Sequence, residues 1–180
     1  MALRNDLPRL IEHLAKEDGH SIEVKVAAAN GARLVETAQI PKLKELVSKN
    51  WDLIVLQDFT KTPLQSVDRF GSKWAINSIA DEAPDAAILL YPPPPARENA
   101  LIYENAGFLT DEPTNPGDLA QRTNEFYESI GFMKAPVPDA WQYTIKSGAD
   151  LYEADGHHPN KEGSDVIART LWNNIKEVLF

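Results

Sequence analysis

The stretch Asp52-Leu53-Ile54-Val55-Leu56-Gln57-Asp58 sets four consecutive apolar residues, two of them β-branched, between polar ends. So short an apolar run, without alternation, is the pattern of a strand buried on both faces of a parallel sheet. Immediately after it, Val67–Ala83 reads as a helix and Ala86–Tyr91 as another strand. Toward the N-terminus, Pro41 opens a short helix to Lys49. Ile22–Ala29, β-branched and then small, reads as a strand running into Asn30-Gly31. Leu7, Leu10, Ile11 and Leu14 recur at helical spacing, with Asn5 or Asp6 available as N-cap and Gly19 beyond the end. Toward the C-terminus follow a helix over Gly117–Ile130, a short strand over Phe132–Ala135 and further helical turns over Asp139–Lys146. A closing helix over Gly163–Leu179 carries Val166, Ile167, Leu171, Ile175 and Val178 along one side.

Strands alternating with helices predict right-handed βαβ units, hence an α/β fold with a mostly parallel sheet covered on both faces. At 180 residues the chain is expected to form a single domain over 1–180. In such sheets the ligand site lies beyond the carboxyl ends of the strands. Asn30-Gly31, Gln57-Asp58 and Pro92–Pro95 all fall there. From Pro92 to Asn115 runs a long connection rich in Pro and polar groups, which suits a lid or binding loop and equally an ordered surface excursion.

Composition removes several classes of function. A net charge of -9 argues against a nucleic-acid partner, whose phosphates would be repelled. No apolar run approaches the roughly 20 residues of a membrane span. With no cysteine, disulfides, thiolate metal sites and cysteine nucleophiles are excluded together. The first residues, MALRNDLPRL, hold no apolar signal core, so a cytoplasmic location is the default expectation. Nothing in the chain implies a cofactor, and the oligomeric state is not legible.

The residues richest in chemistry are Leu151-Tyr152-Glu153-Ala154-Asp155-Gly156-His157-His158-Pro159-Asn160, followed by Gly163-Ser164. Asp155 and His158 stand three apart, in a turn that Gly156 permits and Pro159 fixes. Such a turn can aim a carboxylate at one imidazole nitrogen and leave the other facing a cleft. A catalytic base needs this, because the carboxylate sets the tautomer and stabilises the imidazolium. Spacing alone leaves open a plain turn with solvent-facing histidines. A metal site using Asp155, His157 and His158 is a further alternative, although no second cluster of ligands is visible.

The phrase LYEADGHHPNKEGSDVIA (151–168) resembles the last block of the SGNH (GDSL-like) hydrolases, "LY-x-x-DG-x-HP-N-x-x-GS". Ala135-Pro136-Val137-Pro138-Asp139-Ala140-Trp141-Gln142 is similar to an "APVG-x-AW" segment upstream of that block in one branch of the family. Asp52–Asp58 is similar to the same branch's "D-x-VVLQE" strand. The resemblance implies a flavodoxin-like three-layer sandwich and hydrolysis of carboxylic (acyl or acetyl) esters of small molecules or carbohydrates. It implies Asp155 as the acid and His158 as the base of a Ser-His-Asp mechanism, with no metal and no cofactor. Gly31 fits the family's second block, whose glycine N–H points at the oxyanion. The family's usual Gly-x-Asn-Asp is replaced here by Phe59-Thr60-Lys61-Thr62, so Gln57, with the same amide chemistry, is the expected second oxyanion donor. A strand-end glutamine and a turn glycine would look the same, and Asn30 is a lesser alternative donor.

The family's nucleophile lies in a Gly-Asp/Asn-Ser segment after a first strand and just before the first helix. In this chain the first helix pattern begins almost at residue 1, so strand and serine are both expected upstream of Met1. Ser21 leads into a strand pattern and not a helix, the wrong order for a nucleophile elbow. Ser164 reads as a helix-start residue. If that first strand is absent, Ile22–Val26 and Leu53–Leu56 should flank its place, either across a gap or in a makeshift closure. A degenerate relative that binds glycan or acyl ligands without turnover is the alternative reading.

Overall fold

The computed structural model describes residues 4–29, 31–64, 66–98, 100, 103 and 115–180. Helices α1 (Leu7–Glu17), α2 (Leu34–Thr37) and α3 (Pro41–Val47) precede strand β1 (Leu53–Leu56) and helix α4 (Ser66–Glu82). Strand β2 (Ala87–Leu90) is followed by α5 (Pro116–Glu128), β3 (Met133–Lys134), α6 (Val137–Lys146) and α7 (Lys161–Leu179). The strands form one parallel sheet in the order β1-β2-β3, with Leu53 opposite Ala87 and Leu90 opposite Lys134.

Side chains on a strand alternate between faces, and that alternation builds two cores. Leu53 and Leu89 turn toward α1, α6 and α7, where Ile11, Leu14, Trp141, Ile167 and Leu171 pack. Ile54, Leu56, Ile88 and Leu90 turn the other way, toward Leu34, Val47, Ile76, Ile79, Phe126 and Tyr127 on α2 to α5. The result is the expected α/β three-layer arrangement, with its strand carboxyl ends on one edge.

One expected strand is corrected. Ile22–Ala29 joins no ladder among the described residues. Its alternation survives, with Ile22, Val24 and Val26 half-buried and Glu23 and Lys25 exposed. A strand exists by pairing, and among the described residues β1 pairs only with β2, with Val55 38% exposed. Ile22–Val26 and Leu53–Leu56 therefore have the strand pattern without pairing to each other. Asp6, one of the two expected caps of α1, does occupy the N-cap, in a left-handed conformation and with no side-chain cap bond. Asn5 is left-handed too and spends its amide elsewhere.

Candidate active site

The Asp155–His158 turn is built from below. Trp141, fully buried on α6, donates its indole N–H to the Tyr152 hydroxyl at 2.9 Å, and that hydroxyl donates to the Pro95 carbonyl at 3.0 Å. Gly163, in the first turn of α7, lies so close to this pair that a Cβ would stand 2.3 Å from the Leu151 carbonyl and 2.7 Å from the Trp141 ring. Only glycine fits there, which accounts for the Gly-Ser that follows the motif. Asn160 caps α7, accepting from Gly163 N–H at 2.8 Å and donating to the Asp150 carbonyl at 2.7 Å.

Above this base the chain folds back on itself. Glu153 N–H donates to the His158 carbonyl, Asn160 N–H to that of Leu151 and Gly156 N–H to that of Glu153. Gly156 has φ +66°, the left-handed geometry the turn requires. Its carbonyl accepts from Arg97 N–H at 2.7 Å, which ties the connection after β2 to the turn. Arg97 also pairs with Asp150 and lies 5.2 Å from the centre of the Tyr152 ring.

In the turn the carboxylate of Asp155 meets the imidazole of His158, with Oδ2 2.7 Å from Nδ1. The other oxygen, Oδ1, accepts the backbone N–H groups of His157 and His158, each at 2.9 Å. Partial burial works against the charge. The His158 backbone N–H, the His158 ring and the His157 backbone N–H outweigh it and hold the carboxyl well below the ordinary carboxylate range. The side chains of His158 and Asp155 are 31% and 46% exposed, so a solute can reach the pair. Among the described residues the His158 ring has no hydrogen-bond partner other than Asp155, which leaves Nε2 without one.

His157 packs its ring edge-on to His158 at 4.8 Å. Its Nδ1 is buried without a partner among the described residues. Burial first, then the neighbouring His158 and Lys61, pull its basicity down, so it stays neutral more readily than an exposed histidine. Among the described residues no three His, Asp or Glu side chains form a metal-binding group.

The remaining expected residues share no hydrogen bond with the pair among the described residues. Gly31 has φ +70° in a turn closed by Ala32 N–H on the Ala29 carbonyl. A Cβ at Gly31 would meet nothing within 4 Å, so backbone conformation and not crowding demands glycine. Gln57 is half-buried, and its side chain has no hydrogen-bond partner among the described residues. Asp58, next to Gln57 in sequence, is buried and accepts from Leu34 N–H at 2.7 Å and Phe59 N–H at 2.6 Å. Its own N–H donates to the Tyr127 hydroxyl. Among the described residues no hydrogen bond joins Gly31 or Gln57 to His158. Asn30 and most of residues 99–114 lie outside the described residues.

Two residues of the site escape sequence reasoning as more than local features. Asp58 was legible as a carboxylate following a buried strand, a position where it must find donors. Asn5, expected only as a cap, reaches 154 residues along the chain: its amide donates to the Pro159 carbonyl at 3.1 Å and to Ser164 Oγ at 2.9 Å. The start of α1 thus abuts the Asp155–His158 turn.

Solved structures give this arrangement a fold name. A provisionally assigned SGNH hydrolase from Slackia heliotrinireducens superimposes with a TM-score of 0.75 at 24% identity, covering 97% of this chain and 93% of that one. The chain has the SGNH-hydrolase fold. A lipase/acylhydrolase from Enterococcus faecalis matches with a TM-score of 0.62 at 17% identity, over 98% of this chain and 86% of that one. A mutant of an acetyl-xylooligosaccharide esterase from Geobacillus Stearmophilus matches with a TM-score of 0.65 at 14% identity, over 97% and 81%. No family model matches the sequence, and no curated protein does. Among the described residues no helix is long and apolar enough to cross a membrane.

Proposed function

We propose that this protein is a carboxylic-ester hydrolase of the SGNH type, with His158 as general base and acid and Asp155 as its orienting partner. The observation that carries the reading is the 2.7 Å Asp155–His158 contact on a solvent-reachable turn at the sheet's carboxyl edge. The proposed nucleophile is a serine delivered at the start of α1, and the contact of Asn5 with Pro159 supports this: a residue leading into α1 arrives beside the Asp155–His158 turn. Serine Oγ attacks the ester carbonyl carbon and gives its proton to His158 Nε2. The imidazolium, stabilised by Asp155, then protonates the departing alcohol as the C–O bond breaks, leaving an acyl-serine. Water, deprotonated by the same nitrogen, releases the acid and restores the serine. Gly31 N–H and the Gln57 amide, which has no partner among the described residues, are the proposed donors to the oxyanion. Acyl or acetyl esters of small molecules or carbohydrates are the proposed substrates, without metal or cofactor.

One observation favours a second reading, a ligand-binding relative without turnover. No serine among the described residues hydrogen-bonds to the His158 ring, and Ser164 is 1% exposed with its hydroxyl already held by Asn5. Hydrolysis of p-nitrophenyl acetate separates the two, measured on residues 1–180 and on a form extended by the translated upstream reading frame. The hydrolase reading expects turnover in the extended form that falls by about a thousand-fold or more in His158→Ala. An extended form that binds acyl ligands but hydrolyses none would establish the second reading.

A further inference from the structure

A groove of about 580 Å³ runs between α4 and α5, on the sheet face away from α1, α6 and α7. It is a different place from the Asp155–His158 turn. Its walls carry Arg69, Phe70 and Lys73 from α4 and Arg122, Glu125 and Phe126 from α5. Three cations against one carboxylate is an unexpected balance in a protein of net charge -9.

The acids nearby neutralise Arg122 and leave Arg69 and Lys73 without a carboxylate partner among the described residues. Asp118 pairs with Arg122, and Glu125 accepts a hydrogen bond from Gln121. Among the described residues Lys73 reaches only a neutral acceptor, the Ser129 carbonyl at 3.3 Å. Arg69 has no partner among the described residues. Arg69 and Lys73 are like charges one helical turn apart, an arrangement that weakens a helix unless an anion lies between them. Phe70, between them in sequence, is 76% exposed, an aromatic surface left in water beside two cations.

We propose that this groove binds an organic anion, a carboxylate or phosphate carried on an apolar or aromatic body. Arg69 supplies a planar fork and Lys73 a point charge for the head group. Phe70 and Phe126 take the body. The volume suits a ligand larger than an inorganic anion. The inference is independent of the ester chemistry and does not need it to be right.

Titration of the protein with 4-phenylbutyrate, phenyl phosphate and neutral 4-phenylbutyramide, followed by backbone amide NMR, tests it. Saturable shifts at Arg69, Phe70, Lys73 and Ser129 are expected with at least one anion, and whichever binds tighter identifies the head group. The neutral amide should bind at least about ten-fold more weakly, and added salt should weaken only the anions. The double variant R69Q/K73Q, confined to the surface, should lose about ten-fold or more while keeping its melting temperature. Phe70→Ala should weaken 4-phenylbutyrate more than it weakens inorganic phosphate. Equal binding of the neutral amide, salt-independent binding, shifts mapping elsewhere, or no shift with either anion would overturn the proposal.

Discussion

The turn over 151–160 and the segment over Ile22–Val26 are both irregular, yet they are held in different ways. The turn is fastened at every level: an indole and a phenol beneath it, a capped helix behind it, a crossing backbone bond from Arg97, and a carboxylate that accepts three hydrogen bonds within it. Ile22–Val26 is held by little more than half-burial on one side and a bond from Val24 N–H to the Glu12 carboxylate. A side chain aimed for chemistry has to stand on a surrounding that fixes its rotamer. The first region has that surrounding. The second has a strand's pattern and no ladder among the described residues.

Substitutions sharpen the contrast. Gly163→Ala should be the most damaging, because the new methyl meets backbone and an indole that cannot move aside. Overpacking of this kind costs about 3 kcal/mol or more, and urea unfolding would measure it. Tyr152→Phe should follow at about 1–3 kcal/mol, since it leaves the buried Trp141 N–H and the Pro95 carbonyl without their partner. Val24→Ala on the weakly held segment should cost less than about 1 kcal/mol, for it removes only half-buried methyls. A Val24→Ala loss equal to that of Tyr152→Phe would break the comparison.

Acid should act on the turn first. The basicity of His157 is lowered by folding, so the unfolded chain takes up a proton that the folded one resists. Its contribution is intact above the unfolded value, about 6.5, and is lost as pH falls below it. Asp155, also lowered, adds a second loss that begins only as pH falls below its unfolded value, about 3.9. Denaturation of His157→Gln between about pH 7 and 5 should therefore show a shallower loss of stability than the parent. An unchanged slope would remove His157 as the source.

Much of this was readable from the residues, and the failures have physical causes. Leu53–Leu56, Ala87–Leu90 and the helices around them followed from apolar runs and 3.6-residue periodicity, because both faces of the sheet are covered. The Asp155–His158 contact followed from a three-residue spacing with Gly156 and Pro159, which is local geometry. Ile22–Ala29 was misread because pattern records which side of a segment is buried and carries no information on whether a neighbour is there to pair. The roles of Asn5 and Arg97 depend on contacts 154 and 53 residues distant, and no local signal marks such a contact.

The central claim is that the turn delivers His158 as a base, with Nδ1–H given to Asp155 and Nε2 left open. Long-range proton–nitrogen correlation NMR of the imidazole reads that tautomer directly. In the neutral imidazole the account predicts the proton on Nδ1, facing Asp155, and Asp155→Asn should disturb that preference. A ring protonated on Nε2, with Nδ1 bare against the Asp155 carboxylate, would contradict it.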